Sequence, residues 1–211
     1  MFLQGVDTET RRQIDNLLVL YYKNGGELPV NIELLIKLLA RLIDNEIEII
    51  EDFWDKRRGI TFPVRWGFRI YVSHSDPIVQ KRFTTVHEIG HILHTYDYNE
   101  DEIPRQKFGG ESSLIFPKKS EEYICDEIAC YILCPQELVI KFLEDFDNIP
   151  CQLELFRKKQ VSPFIARLKL ISEIFGVPSA EFYRHIKRQF GEEKILSLIN
   201  STMVTKGGGQ I

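Results

Sequence analysis

The first forty residues show apolar positions with a helical period. In one run they recur at the i, i+3, i+4 and i+7 positions: Ile14, Leu17, Leu18 and Tyr21. This spacing predicts an amphipathic helix from Thr8 to Lys23, ended by the Asn-Gly-Gly stretch at 24–26. The stretch LPVNIELLIKLLARLIDN predicts a second helix, with Asn31 as its N-cap.

The pattern then changes to the two-residue period of strands. Glu46 to Ile50 alternates charged and apolar side chains, as a half-buried strand does, and Gly59 to Ser75 predicts two strands around an Arg-Trp-Gly turn. The Ser-Asp-Pro stretch at 75–77 ends this region. A helical period returns over approximately Val79 to His94.

The rest of the chain is predicted to be helical, apart from one long connection. A polar, glycine-rich stretch at 96–113 is a candidate substrate-facing loop. Ser120 is a possible cap for the helix that follows and ends at Pro135, and further helices are predicted from Pro135, at 153–159, at 162–175 and at 179–199. The fold class is therefore α+β, mainly helical, with a small antiparallel or mixed sheet packed on the Val79–His94 helix. We expect one main domain at 1–150, a helical segment at 151–200 and a flexible tail at 201–211.

Composition excludes several classes of function. The 211 residues carry 44% hydrophobic and 27% charged side chains, as globular proteins do. A net charge of −4 provides no basic field for nucleic acid or an anionic membrane, so no direct nucleic-acid or membrane binding is expected. The cysteines form no C-x-x-C pair and are expected to be buried free thiols: Cys125, Cys130, Cys134 and Cys151. Because the chain shows no signal peptide and no long apolar stretch, we expect a cytoplasmic protein.

Two histidines and a glutamate lie within five residues of the stretch RFTTVHEIGHILHT. His87 and His91 are four residues apart, so their side chains share one helix face and can converge on one Zn²⁺. Glu88 is turned about 100° around the helix axis. From there it can reach a water on the open side of the metal and take its proton. This is an H-E-x-x-H motif, which composition alone produces in roughly one such chain in a hundred.

A catalytic zinc needs a third protein ligand, and the stretch EEYICDE offers two candidates on a second predicted helix. We assign Glu122 as the ligand, with Asp126 as its rival. In the preferred arrangement, Asp126 accepts a hydrogen bond from the outer ring nitrogen of a ligating histidine. The alternative is that these carboxylates form a solvated acidic face. His94 lies one turn past His91, and reaching the same metal from there would strain the helix, so we expect it beside the site.

These motifs together resemble the ImmA/IrrE family of metallo-endopeptidases. The resemblance rests on RFTTVHEIGHILH and, about thirty residues later, EEYICDEIACYILCP. Three flanking stretches are also similar to the family: LPVNIELLIKLLARLIDNEIEII, RIYVSHSDPIVQKRF and KKQVSPFIARLKLI. The resemblance therefore covers approximately Leu28 to Leu170. The chain departs from the family pattern at Ile124, Cys125 and Cys134, none of which the zinc mechanism needs.

The resemblance implies a gluzincin-like core, with a zincin-like metallopeptidase domain over 1–150. It implies that Glu88 is the general base, that Asp126 occupies the family's Asn/Asp position, and that Zn²⁺ has three protein ligands: His87, His91 and Glu122. It also implies that a substrate strand pairs with an edge of the small sheet, which we expect Phe68 to Ser73 to provide. The usual substrate of the family is a helix-turn-helix transcriptional repressor, often encoded by a prophage or mobile element.

The expected function is therefore a zinc-dependent endopeptidase that cleaves such a repressor. An alternative is a metal-binding regulatory module, or a toxin-like partner, that binds a DNA-binding regulator without hydrolysing it. A third interpretation, a helix-turn-helix-like DNA binder built from Val161 to Gly176, is disfavoured by the acidic chain. Polar residues that could stabilise the oxyanion are Tyr96, Tyr98 and His185.

Overall fold

The computed structural model describes residue 3 and residues 5–52, 59–97, 105–106, 119–149 and 162–204. The chain forms two compact units, Met1–Leu133 and Cys134–Ile211. Several predicted features lie outside the described residues: the domain boundary at 150, the helix at 153–159, most of the connection at 96–113, and the tail from 205 onward. The last described helix continues to Val204, past the predicted start of that tail.

The first unit begins with two helices whose caps follow from their sequences. Helix α1 spans Thr8–Lys23, and the carboxylate of Asp7 accepts a hydrogen bond from the Thr10 backbone amide at 2.9 Å. Helix α2 spans Ile32–Ile43, and the Asn31 side chain accepts from the Leu34 amide. Each cap satisfies a backbone donor that the helix itself leaves unpaired, so both helices begin at the polar residue.

The sheet that follows is small and mixed. Strands β1 (Glu46–Asp52), β2 (Gly59–Val64) and β3 (Gly67–Ser73) are ordered β1-β3-β2. β3 pairs in parallel with β1 and antiparallel with β2. Two short strands, β4 (Tyr96–Asp97) and β5 (Arg105–Gln106), form a separate antiparallel pair.

This order makes one expectation wrong. Phe68 to Ser73 was expected to provide the edge for a substrate strand, but these residues form β3, the central strand. Their backbone groups already pair with β1 on one side and β2 on the other. The outer strands of this sheet are β1 and β2, so any added strand has to pair with one of those.

Helix α3 (Ile78–Thr95) is the core of the first unit. From Phe83 onward nearly every side chain is buried, including Ile89 and Ile92, which are fully so. Burial of each such side chain contributes about 1.5–3 kcal/mol. The helix packs against β2 and β3 and against helix α4, which spans Lys119–Leu133. Since α4 begins at Lys119, Ser120 lies in its first turn and is not its N-cap.

The second unit is helical in its described part. It contains α5 (Gln136–Glu144), a short 3₁₀ helix (Phe146–Asn148), α6 (Pro163–Phe175) and α7 (Ser179–Val204). The buried Arg167 guanidinium donates to the Asp147 carbonyl at 2.8 Å and so ties α6 to the 3₁₀ helix. Helix α7 is interrupted at Gly191, where φ is +80°.

The predicted fold class is confirmed: the described chain is mainly helical with a small mixed sheet packed on the H-E-x-x-H helix. Three of the four cysteines are described, and all three are buried thiols outside any disulfide, as predicted: Cys125, Cys130 and Cys134. Cys151 lies outside the described residues. In the described part of the chain, no helix combines the length and the apolarity needed to cross a lipid bilayer.

Candidate metal centre

Two packed helices supply the side chains of the candidate site. α3 carries His87, Glu88 and His91, and α4 carries Glu122 and Asp126. The helices come unusually close at Gly90: a Cβ there would lie 3.1 Å from the Cα of Cys125. Glycine at this position therefore allows the two backbones to approach, and the site lies beside this contact.

The side chains converge on one point. The Nε2 atoms of His87 and His91 are 3.2 Å apart. The two carboxylate oxygens of Glu122 lie 3.1 Å from the Nε2 of His87 and 3.4 Å from that of His91. Glu122 lies 35 positions after His87 in the sequence, yet its carboxylate and the two Nε2 atoms form one compact donor triangle. Glu88 adds a carboxylate, and its ligand atom and those of the two histidines all lie within 4.8 Å of one another.

Asp126 lies on the opposite side of the His87 ring. Its Oδ1 is 2.9 Å from the Nδ1 of His87, so it accepts a hydrogen bond from the outer nitrogen and leaves Nε2 directed at Glu122 and His91. Burial lowers the pKa of His87, but the hydrogen bonds that its ring donates to Asp126 and Glu122 outweigh it and raise that pKa to about 10. Burial alone would raise the pKa of Glu122, but the two histidines hold it well below its usual range.

Glu88 is held by the sheet. It is buried, with an exposed fraction of 4%, and a buried carboxylate requires a partner. The Thr61 hydroxyl on β2 donates a hydrogen bond to its Oε2 at 2.8 Å. Gly59, two residues earlier on the same face of β2, leaves space for the other oxygen: a Cβ at position 59 would lie 2.8 Å from Oε1 and 2.4 Å from the Cγ2 of Thr84.

These atoms fit a metal ion. Two ligands of a tetrahedral metal, each about 2.0–2.1 Å from it, are about 3.3–3.4 Å apart. The Nε2 atoms of His87 and His91 are 3.2 Å apart, one Glu122 oxygen lies 3.1 Å from the Nε2 of His87, and the other Glu122 oxygen lies 3.4 Å from the Nε2 of His91. Two imidazoles and a carboxylate are donors that several divalent metals accept. Independently of Glu122, the ligand atoms of His87, Glu88 and His91 lie close enough together to hold a metal ion, a group in which Glu88 and not Glu122 is the third member.

Cys125, between Glu122 and Asp126 in the sequence of α4, does not add a sulfur ligand. Its side chain is fully buried, and burial raises the pKa of the thiol well above its usual value, so it stays protonated. Metal binding by cysteine requires the thiolate.

The other predicted candidates have the following described contacts or positions. His94 is buried, and its Nδ1 is 3.6 Å from the Asp7 carboxylate at the start of α1. Tyr96 is buried against Phe68, with ring centroids 5.3 Å apart. His185 belongs to α7 in the second unit, and Tyr98 lies outside the described residues.

Sequence reasoning missed the contribution of β2 to the site. Thr61 and Glu88 are 27 residues apart, and no local pattern links a threonine on a strand to a glutamate on a later helix. The one signal was Gly59, since a glycine at the start of a strand often marks a close approach of another group.

No known family model matches the chain, and no curated protein matches it. The functional assignment therefore depends on the geometry of the site and on the motif resemblance.

Proposed function

We propose that this protein is a zinc-dependent endopeptidase in which His87, His91 and Glu122 hold the metal and Glu88 is the general base. The observation that carries the proposal is the convergence of two imidazole nitrogens and a carboxylate at separations of 3.1–3.4 Å, with the Glu88 carboxylate beside them. A site with three protein ligands and an open fourth position is typical of catalytic zinc.

A zinc ion held there would supply Lewis-acid polarisation of the peptide carbonyl and would make a water molecule more acidic. The protein residues orient the ligands and transfer the proton. Asp126 fixes the His87 ring through Nδ1, so that Nε2 stays available for binding. Glu88 takes the proton of the attacking water and passes it to the nitrogen of the leaving fragment, which departs as an amine.

The substrate segment is proposed to bind along β2. In the described part of the chain, the sheet order leaves β2 with a strand partner on one side only. The same strand reaches Glu88 through Thr61, so an extended peptide that pairs with its outer edge passes close to the general base. Backbone pairing with an edge strand holds a peptide extended and independent of most of its side chains.

The substrate class rests on the sequence resemblance. ImmA/IrrE-like proteins act on helix-turn-helix repressors, so we propose that the protein removes such a repressor and thereby activates prophage, mobile-element or stress-response genes. The motif stretches RFTTVHEIGHILH and EEYICDEIACYILCP support this proposal.

The test is co-expression with doubly tagged helix-turn-helix regulators from the same genome, read by immunoblot for cleavage and by a promoter reporter for derepression. Glu88→Gln keeps the metal ligands and should abolish cleavage while zinc content, measured by atomic absorption, stays near one equivalent. Glu121→Gln is the matched control, because Glu121 neighbours Glu122 but lies outside the donor triangle. If Glu88→Gln relieves repression as well as the unchanged protein does, the protein acts by binding its regulator and the peptidase proposal is wrong.

A further inference from the structure

The hydrogen bond between Thr61 and Glu88 joins the edge strand of the sheet to the proposed general base. Thr61 is 6% exposed and lies on the face of β2 that points toward α3. Its hydroxyl is 2.8 Å from the Glu88 Oε2 and 3.4 Å from the Glu88 carbonyl oxygen. A single buried donor is thus directed at both the side chain and the backbone of Glu88.

The second oxygen of Glu88 is confined in a different way. Oε1 lies against Gly59, 2.8 Å from where a Cβ would be, and the Thr84 methyl group lies 2.4 Å from the same position. In the described part of the chain, Thr61 is the one side chain that hydrogen-bonds the Glu88 carboxylate. Oε2 thus accepts the Thr61 hydrogen bond, whereas no side chain of the described residues donates to Oε1, which is the less occupied acceptor of the two.

We propose that Thr61 is a positioning residue: its hydroxyl fixes the orientation of the Glu88 carboxylate so that Oε1 is presented to the attacking water. This deepens the proposed function and rests on it. A general base works only from hydrogen-bonding distance, and a displacement of about 1 Å in a reacting group can reduce the rate about 100-fold. Glu88 has several rotatable bonds, so a fixed contact to the strand restricts the positions that its carboxylate samples.

Thr61 also connects substrate binding with the base. It pairs with Ile70 of β3 through its backbone, and its own strand has its other edge directed away from β3. A peptide that adds to that outer edge is held by the same strand that holds Glu88. The scissile bond and the general base Glu88 would then both be held by β2, which keeps their relative position constant.

The test uses full-length, zinc-loaded protein with the regulator that it cleaves. Thr61→Val keeps the branched shape and removes the hydroxyl; we expect kcat to fall about 10- to 100-fold, with KM within about twofold of the original value. Thr61→Ser restores the hydroxyl and should return kcat to within about threefold. Thr85→Val is the matched control: Thr85 is also buried, but its hydroxyl donates to the Lys81 carbonyl, so kcat should not change.

Two further readouts separate this proposal from the proposed function. Zinc affinity, measured by competition with a chromophoric chelator, should be the same in all three variants within about threefold, because the Thr61 hydroxyl bonds to Glu88 and to none of the three proposed ligands, His87, His91 and Glu122. In a crystal structure of metal-free Thr61→Val, or of Thr61→Ala if the valine variant does not fold, the Glu88 carboxylate should leave its position over Gly59. This readout does not require peptidase activity.

An unchanged kcat in Thr61→Val, or a Thr61→Ser variant as impaired as the valine variant, would overturn the positioning role. So would a Glu88 carboxylate in its original orientation in the crystal structure of the variant. If no regulator is cleaved by the unchanged protein, the proposed function fails by itself, and the crystal structure still decides whether Thr61 holds Glu88.

Discussion

Metal binding to this site should release a proton, and the affinity should depend steeply on pH. In the metal-free protein, the hydrogen bonds of Asp126 and Glu122 outweigh burial and raise the pKa of His87 to about 10. At pH 7 the ring is therefore protonated, with one N–H directed at each carboxylate. A metal ion has to replace the proton on Nε2, since a ligating imidazole must offer a free electron pair.

The size of the effect follows from the difference between the pKa and the pH. At pH 7, three units below the pKa of His87, the proton competes with the metal for Nε2. This competition reduces the apparent metal affinity about 1000-fold relative to the fully deprotonated site, or by about 4 kcal/mol. The direction of the pH dependence follows from the raised pKa of His87: as the pH rises, the ring loses its proton and the metal binds more tightly. Between pH 7 and 9 the apparent affinity should rise about tenfold per unit, and the gain should end near pH 10.

Calorimetry provides the direct assay. Zinc titrations in two buffers with different ionisation enthalpies should show about one proton released per metal at pH 7.5, and chelator competition gives the affinity at each pH. Asp126→Asn keeps an acceptor for Nδ1 but removes the charge that raises the pKa, so its affinity should level off at a lower pH. Glu121→Gln, which removes a carboxylate outside the triangle, should keep the original slope. Equal binding heats in both buffers, with an affinity that is flat between pH 7 and 9, would refute the reasoning.

Two other pairs of substitutions test the ligands and the stability of the fold. Glu122→Ala should lose stoichiometric zinc and Asp126→Ala should retain it at saturating metal, because Glu122 contributes to the donor triangle and Asp126 contacts the outer nitrogen of His87; retained zinc in the Glu122 variant, measured by atomic absorption, would contradict that assignment. Asp7→Ala removes the cap of α1 and should cost about 1 kcal/mol, lowering Tm by about 2–4 °C in a thermal melt. The surface variant Glu9→Ala should shift Tm much less, and equal shifts for the two would show that the cap is not the cause.

Features set by neighbouring residues could be predicted from the sequence. Helix α1 follows from the spacing of Ile14, Leu17 and Tyr21, and Asn31 caps α2 as its position suggested. The pairing of Glu122 and Asp126 with His87 was also accessible, because two carboxylates one turn apart on a helix face predicted to be buried need partners. In the structure that face is only partly buried: the side chain of Glu122 is 45% exposed and that of Asp126 is 26% exposed.

Long-range pairing could not be predicted in this way. The parallel pairing of β1 with β3 places Glu46 opposite Gly67, and a strand sequence does not state which neighbour it will pair with or in which direction. For that reason β3 was expected at an edge and was found in the centre. The contact between Thr61 and Glu88 could not be predicted for the same reason, because a strand residue contacts a helix residue only after the sheet has packed on the helix.

The glycine inside the H-E-x-x-H motif has a consequence for how that motif is recognised. The two positions written as x are Ile89 and Gly90, and a side chain on Gly90 would press on the Cα, Cβ and carbonyl oxygen of Cys125, all within 3.1–3.3 Å. Glu122 lies three residues before Cys125, so the distance between the two helices at this point determines how far its carboxylate reaches. In this protein, the motif specifies a distance between helices as well as a set of reactive groups, and a pentapeptide with the same three polar residues and a larger fourth residue would not be equivalent to it.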